Sequence, residues 1–392
     1  MVHMKIIIII VLCFGLVTGA SAQQELLNEL NEQVMKLYQQ GNYAEATKAA
    51  EKALEVARKS FGLDHLNVTT PQNNLASLYR LQGKYDEAEL LEKRNLVIRE
   101  KALGADHPDV ATTLNNLALL YQSRGKYSEA EPLLKRSLAI KEKALGKDHP
   151  DVAAIVNNLA FLYRSQGKYS EAEHLCQRSL AIGEKVLGSE HPDVAGTLNN
   201  LADLYRLHEK YSKAEPLYKR SLAIREKTVG SEHPDVAQSL NNLASIYRSQ
   251  GKYSEAEPLL KRSLAIYEKA LGRDNPDVAT CLNNLALLYR LQEKYSVAES
   301  LYKKSLIIRE KALGSEHPDV AQSLNNLAGL YYSQGKYSEA EPLLKRSLTI
   351  NEKVLGKDHP DIAAILDNLV ELFKAQGKHD EAKALSKKRG RQ

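Results

Sequence analysis

The sequence predicts an all-α protein, a right-handed superhelical solenoid built from antiparallel helix pairs. The stretch GKYSEAEPLLKRSLAI at residues 125–140 recurs unchanged at residues 251–266, and at residues 335–350 with the single change to Thr349. The copies are separated by multiples of 42 residues. Self-similarity at a period of 20–50 residues is the signature of repeat architectures, in which each unit packs against its neighbours.

Two short motifs carry this period along the chain. His-Pro pairs begin at His107, His149, His191, His233, His317 and His359, with Asn275-Pro276 in the one gap. Asn-Asn-Leu begins at Asn73, Asn115, Asn157, Asn199, Asn241, Asn283 and Asn325, with Asp367-Asn368-Leu369 as a last variant. We therefore divide the chain into a signal peptide (1–22), a diverged first repeat (23–64), seven 42-residue repeats (65–358) and a C-terminal capping repeat with a basic tail (359–392).

Each unit reads as two helices. In residues 107–148, apolar residues spaced three and four apart predict a first helix, with Asp106 and Asp109 as its caps and Pro108 in its first turn. Gly125 ends this helix. Ser128 and Glu131 predict a capping box at the start of the second helix.

Two units replace the glycine of the turn between these helices with glutamate, Glu209 and Glu293. If those residues adopt a left-handed conformation, each costs roughly 1 kcal/mol.

The composition excludes some functional classes. With 43% hydrophobic and 26% charged residues, the chain is that of a folded protein, and a net charge of +5 over 392 residues does not suggest an obligate nucleic-acid binder. We interpret Cys176 and Cys281 as buried small apolar residues, not as a disulfide or a metal pair.

The N-terminus has the features of a secretory leader. Lys5 precedes an apolar run, Ile6–Val17, and Ala20-Ser21-Ala22 supplies the small residues of a cleavage site. We expect cleavage after Ala22 and a periplasmic or secreted mature protein without a membrane span. An uncleaved membrane anchor is the alternative.

The motifs Asn-Asn-Leu-Ala, Leu-Tyr-Arg, Gly-Lys-Tyr-Ser-Glu-Ala and Leu-Gly-x-x-His-Pro-Asp-Val together resemble the tetratricopeptide repeats of kinesin light chain. The resemblance covers residues 65–392 strongly and residues 23–64 weakly. It implies an interaction scaffold whose first helices line a concave groove. In kinesin light chain, asparagines and basic residues of this groove hold acidic, aromatic-containing peptides, and the resemblance implies something similar here.

The candidate groove residues share one face of the first helices. The second asparagine of each motif recurs at one helical angle, as Asn74, Asn116, Asn158, Asn200, Asn242, Asn284 and Asn326, and again at Asn368. Beside it stand Arg80, Arg164, Arg206, Arg248 and Arg290. A carboxamide both donates and accepts hydrogen bonds, which suits the main chain of an extended peptide. The alternatives are that the asparagines hold the stack together and that the arginines form a solvated face.

The sequence predicts no catalytic residues, no cofactor and no metal site. His-Pro-Asp is also the signature tripeptide of J-domain co-chaperones, but its six copies at repeat corners favour helix-start chemistry. We therefore expect a non-enzymatic, monomeric scaffold that binds an extended, acidic segment of an unidentified protein. The alternative is a structural protein that stacks with itself or with another envelope component.

Overall fold

A computed structural model of the protein describes residues 23–389. The predicted signal peptide and the last three residues of the basic tail lie outside the described residues. Within that range the chain forms 18 α-helices and no strand, which confirms the all-α solenoid. None of these helices is both long and apolar enough to cross a membrane.

The helices alternate between a first and a second member of each pair. The first pair is α1 (23–39) and α2 (Tyr43–Phe61), followed by a short 3-10 helix at Leu66–Val68. The later first helices are α3 (Thr69–Leu81), α5 (Pro108–Ser123), α7 (Pro150–Ser165), α9 (Pro192–Leu207), α11 (Pro234–Ser249), α13 (Pro276–Leu291), α15 (Pro318–Ser333) and α17 (Pro360–Ala375). Their partners are α4 (Tyr85–Leu103), α6 (Tyr127–Leu145), α8 (Tyr169–Leu187), α10 (Tyr211–Val229), α12 (Tyr253–Leu271), α14 (Tyr295–Leu313), α16 (Tyr337–Val354) and α18 (His379–Arg389).

The chain divides into two compact units, unit 1 at residues 1–113 and unit 2 at residues 114–392. In unit 2, successive first helices contact one another from α7 through α17, whereas the described second helices make no comparable contact with each other. Because helices on the inside of a curved stack lie closest together, the first helices form the inner surface of unit 2.

Histidine caps the first helices, which corrects one prediction. His107 Nδ1 accepts a hydrogen bond from the backbone N–H of Asp109 at 3.1 Å, so the accepting group is the imidazole and not the predicted pair of Asp106 and Asp109. His149, His191, His233, His317 and His359 make the same bond, and Asn275 makes it with its side-chain oxygen. The residue before a proline is held in an extended conformation, which directs this side chain back at the helix start.

The predicted capping box of the second helices is wrong. Helix α6 follows Lys126, which makes no side-chain cap, and Ser128 Oγ donates to the neighbouring Glu129 carboxylate at 2.7 Å. Glu131 instead faces the next pair, where it accepts from the hydroxyl of Tyr163 at 3.1 Å.

Hydrogen bonds from Lys135 and from residues of the next pair lower the pKa of Glu131 from 4.5 to about 2. The same Glu–Tyr bond links later pairs, at Glu173–Tyr205, Glu215–Tyr247, Glu257–Tyr289 and Glu299–Tyr331.

The turn inside each pair requires a positive φ. Gly125 has φ 67°, and the two glutamates that replace the turn glycine, Glu209 and Glu293, have φ 56° and 60°. Both glutamates therefore adopt the left-handed conformation anticipated for them, which is unfavourable for a residue with a Cβ.

The first turn of unit 2 meets its last pair. A Cβ built on Gly125 would lie 2.8 Å from Cδ2 of His359, the cap of α17. The side chain of His359 is only 10% exposed and that of His317 only 9%, whereas those of His149, His191 and His233 are 39–44% exposed. More than five repeats of chain separate these two residues, so unit 2 curves far enough for its two ends to touch.

Candidate partner-binding surface

The second asparagines of the Asn-Asn-Leu motifs, which we call the asparagine row, lie on the first helices. Their side chains form two different hydrogen-bonding arrangements. In the first arrangement, the second asparagine of a motif donates from Nδ2 to Oδ1 of the first asparagine in the preceding repeat, 43 residues earlier. The bonds are Asn74 to Asn31 (3.0 Å), Asn158 to Asn115 (2.8 Å) and Asn368 to Asn325 (2.9 Å). These amides join neighbouring first helices.

In the second arrangement, the row asparagine makes no side-chain hydrogen bond to any residue that the structure describes. This holds for Asn200, Asn242, Asn284 and Asn326, which are all half-buried. Asn116 occupies the equivalent position on α5, also half-buried.

The residue 40 positions after the first asparagine separates the two arrangements. After Asn115 and Asn325 that residue is isoleucine, Ile155 or Ile365, and after Asn31 it is Pro71, none of which accepts a hydrogen bond from an amide. The first asparagine is then available to the next repeat.

In two repeats the residue at that position is polar and bonds to the first asparagine, whereas Asn199, which has Ser239 at that position, makes no such bond. Asn241 Nδ2 lies 2.8 Å from Cys281 Sγ, and Asn283 Nδ2 donates to Ser323 Oγ at 3.1 Å. Both asparagines are less than 9% exposed. Because they bond within the stack, the second asparagine of the next repeat keeps its amide for other partners.

The predicted arginines lie beside this row, and their surroundings differ. The Arg164 guanidinium stacks over the Phe161 ring, 4.5 Å from its centroid, and Arg206 Nε lies 3.5 Å from Asp203 Oδ1. Arg248 and Arg290 form no ion pair with any carboxylate of the described chain. Arg80, in unit 1, is half-buried.

Burial lowers the pKa of Arg248, and the neighbouring positive charges of Arg206 and Arg290 lower it further. These three arginines therefore form a run of positive charge along α9, α11 and α13. Arg290 Nη1 lies 2.6 Å from the position that a Cβ on Gly329 would take. Because Gly329 has no side chain, it leaves room for the guanidinium.

A buried tyrosine completes this run. Tyr302 on α14 is fully buried, and its hydroxyl has no hydrogen-bond partner among the described residues. The equivalent Tyr218 donates to Asp203 Oδ1 at 2.6 Å, but the position that would supply the acceptor for Tyr302 is Leu287. Burial raises the pKa of Tyr302 to about 12, and the nearby Arg290 and Arg248 oppose this rise. Sequence reasoning missed this tyrosine because its position is not constant among the seven 42-residue repeats, which carry glutamate, leucine, cysteine or tyrosine there.

Two hollows on the inner surface bring predicted residues together. A cavity of about 550 Å³ between α7 and α9 includes Asn200 and Asn242 in its lining. A second cavity, of about 370 Å³, is lined by Arg290, Asn326 and Tyr332.

No group of three or more histidine, cysteine, aspartate or glutamate side chains among residues 23–389 is placed to hold a metal ion. Cys176 and Cys281 are buried and unpaired, as interpreted from the sequence, and burial raises the pKa of each thiol to about 11.

Comparison with known families gives matches over most of the chain. A tetratricopeptide repeat model matches residues 35–96, 151–227, 211–269, 235–311, 277–353 and 319–389, and a second tetratricopeptide repeat model matches residues 110–151. No curated protein matches the chain.

Several solved structures are similar. A Podosopora anserina protein with nearly identical TPR-like repeats, described as a kinesin light chain, is 34% identical over 53% of this chain and 98% of its own, with a TM-score of 0.44. BtubC (BKLC) from P. vanneervenii is 26% identical over 60% of this chain and 92% of its own, with a TM-score of 0.46. A Rap protein complexed with Competence and Sporulation Factor is 14% identical over 95% of this chain and 97% of its own, with a TM-score of 0.61, and shares the fold alone.

Proposed function

Because the chain belongs to the tetratricopeptide repeat family, with repeats of the kinesin light chain type, we propose that its inner surface binds an extended, acidic segment of a partner protein. Repeats of this family form scaffolds suited to protein–protein interaction, and no enzymatic family matches the chain. We propose both that the ligand is acidic and which residues bind it.

The main support for this proposal comes from Arg248 and Arg290. Arg248 and Arg290 are half-buried guanidinium groups without a carboxylate partner in the described chain, and the Tyr302 hydroxyl beside them is a buried donor without an acceptor. Placing like charges together and leaving a buried donor unsatisfied are both unfavourable. A ligand carboxylate or phosphate would relieve both, since Arg forms strong charge-assisted bonds with such groups.

The asparagines supply the second element. Asn200, Asn242, Asn284 and Asn326 have amides that the stack does not use. Each can donate to a peptide carbonyl and accept from a peptide N–H, which binds a main chain whatever its side chains are. Asn74 and Asn158, which bond between helices, serve the stack in this proposal, and the groove runs over the later repeats.

We also propose that the protein acts outside the cytoplasm. The support is the leader-like sequence of residues 1–22 and its cleavage site at Ala22. N-terminal sequencing of protein from the native host should begin at Gln23, and a chain that begins at Met1 or Met4 in the cytosol would contradict export.

Charge reversal tests the ligand class. Fluorescence anisotropy would measure the binding of short extended peptides whose net charge runs from negative to positive. The double variant Arg248→Glu, Arg290→Glu should weaken acidic peptides by at least about a hundredfold, since hydrogen bonds to charged groups contribute about 1.5–3 kcal/mol each. It should also remove most of the salt dependence of binding.

The matched control reverses two lysines on second helices, Lys219→Glu and Lys261→Glu, which changes the net charge equally. Both lysines are more than half exposed and lie away from the inner surface. Equal weakening in the two double variants would indicate a general charge effect and would contradict the proposed site.

A further inference from the structure

The larger cavity exists because three small residues coincide. Ala154 on α7 and Gly196 on α9 form facing walls, and Gly183 on α8 lies in the lining between them. We call the space that they enclose with Asp193 and Thr197 the Gly183 pocket. A Cβ on Gly196 would meet nothing within 4 Å, whereas a Cβ on Gly183 would lie 3.3 Å from Val194 Cγ2. The cavity measures about 550 Å³, in the range of ligand-binding pockets.

Most other repeats carry a larger side chain at the position of Gly183. At this position the first repeat carries Ala57, and the others carry Arg99, Lys141, Arg225, Tyr267, Arg309 and Asn351. The four cations of this set are all less than 10% exposed, so each is held inside the stack. Gly183 is the one member of the set without a side chain.

The cations bond to the start of the next first helix in a fixed pattern. Arg225 Nη1 donates to the main-chain oxygen of Asp235, ten residues on, at 2.8 Å, and to Ser239 Oγ, fourteen residues on, at 3.1 Å. Arg309 makes the same bonds to the equivalent residues Asp319 and Ser323, at 2.8 and 3.0 Å.

Arg99 and Lys141 vary this pattern. Arg99 Nη1 donates to Asp109 O at 3.0 Å and to Thr113 Oγ1 at 2.8 Å. Lys141 pairs with the Asp151 carboxylate at 2.7 Å.

At the Gly183 pocket these acceptors are present and the cation is missing. The residues ten and fourteen positions after Gly183 are Asp193 and Thr197, and both line the cavity. Thr197 Oγ1 donates to Asp193 O at 3.3 Å, as Thr113 Oγ1 does to Asp109 O at 3.2 Å. Because Thr113 keeps that bond while it accepts from Arg99, Thr197 can accept a guanidinium in the same way.

An orphaned amide faces the same space. Asn199 lines the cavity and is only 4% exposed, and neither its Oδ1 nor its Nδ2 has a hydrogen-bond partner. Asn157 Oδ1 is another buried, unpartnered acceptor in the lining. Unpaired buried acceptors are costly, so a donor-rich group that enters here gains several hydrogen bonds.

The charge of the lining favours a cation. Asp193, Asp203 and Asp235 line the cavity together with Arg225, whose guanidinium is already engaged by Asp235 O and Ser239. Asp203 is itself engaged by Arg206 and Tyr218, so Asp193 and Asp235 supply the negative charge that Arg225 does not pair with. We propose that the Gly183 pocket binds the guanidinium group of an arginine side chain presented by the partner protein, in the place that Arg99, Arg225 and Arg309 occupy in other repeats. The inference rests on the proposed function, since the pocket opens on the same inner surface, and it adds a cationic anchor to an otherwise acidic ligand.

The test uses the full mature chain with capped arginine amide as probe and capped citrulline amide, its uncharged analogue, as control. In NMR titrations the arginine probe should shift the backbone amides of Gly183 and Gly196, with an affinity of ~1 mM for so small a ligand. Citrulline should bind at least tenfold more weakly. Equal binding of the two probes, or no shift at saturating probe, would overturn the proposal.

Variants of the pocket itself sharpen the result. Gly183→Arg should abolish arginine binding and raise the melting temperature above that of Gly183→Ala, which gains the same relief from glycine without filling the pocket. Thr197→Val should weaken the probe several-fold without unfolding the chain, because isoleucine stands at the equivalent positions 155 and 365. Arginine binding that survives in Gly183→Arg, or, where that variant does not fold, in Thr197→Val at full strength, would refute the site.

None of these variants alters Arg248 or Arg290, so acidic-peptide binding measured on the same proteins reports the proposed function separately. A chain that binds acidic peptides but not the arginine probe would refute the pocket alone.

Discussion

The two arrangements of the asparagine row predict opposite effects of the same substitution. Asn158→Ala removes a 2.8 Å hydrogen bond between α7 and α5, whereas Asn242→Ala removes no hydrogen bond within the described chain. Both residues lie inside a first helix and are half-buried, so the pair is matched in helix position and burial.

The magnitudes follow from two terms. Replacing a mid-helix asparagine by alanine gains about 0.6 kcal/mol of helix propensity at either site. Losing the Asn158–Asn115 bond costs about 1 kcal/mol net, because Asn115 is half-buried and water reaches its freed oxygen. We therefore expect Asn158→Ala to lower the free energy of unfolding by about 0.4 kcal/mol and Asn242→Ala to raise it by about 0.6 kcal/mol, a difference of about 1 kcal/mol.

Urea unfolding followed by circular dichroism measures the difference between the two variants. Because repeat arrays unfold less cooperatively than globular domains, amide hydrogen exchange in α5 and α7 should accompany it to locate the loss. If Asn242→Ala destabilises the chain as much as Asn158→Ala, the division of the row into structural and free asparagines is wrong.

Three further perturbations test other parts of the fold. Glu209→Gly should stabilise the protein by roughly 1 kcal/mol in urea unfolding, because it relieves a left-handed glutamate, and no gain would mean that this turn is unstrained. Hydrogen bonds hold the pKa of Glu131 at about 2 in the fold, against 4.5 in the unfolded chain. The contribution of Glu131 to the free energy of unfolding should therefore be present above pH 4.5 and lost as the pH falls towards 2. Glu131→Gln should flatten that part of the pH–stability curve. Gly125→Ala should cost on the order of 1 kcal/mol more than Gly167→Ala, since both have a positive φ but only Gly125 meets His359; equal costs in thermal unfolding would argue against that contact.

Most of the fold could be predicted from the repeat period. Identical residues at intervals of 42 specify identical helices and identical neighbours, so helix pairs, turn positions and the strained glutamates could be predicted from one unit. The caps could not be predicted as easily. Aspartate is the commoner N-cap residue. The proline after His107 holds the histidine backbone in an extended conformation, so the imidazole accepts the hydrogen bond from the first turn of the helix.

The site could be predicted only in part, because identical letters have different partners. Every repeat from 115 to 326 reads Asn-Asn, yet the bonds of those amides depend on a residue 40 positions away, Ile155 in one case and Cys281 in another. The Gly183 pocket could not be predicted for a similar reason. It arises from small residues on three different helices, and a single unit gives no sign that they meet.

We propose that Arg248 and Arg290 bind an acidic segment of a partner. Selection of a random extended-peptide library on the mature wild-type chain, followed by binding of the enriched peptides to the Arg248→Glu, Arg290→Glu variant, tests this binding directly. We expect the enriched peptides to carry net negative charge and to lose at least about a hundredfold in affinity for the variant. Enriched peptides that are neutral or basic, or that bind the variant as tightly as the wild type, would contradict the claim.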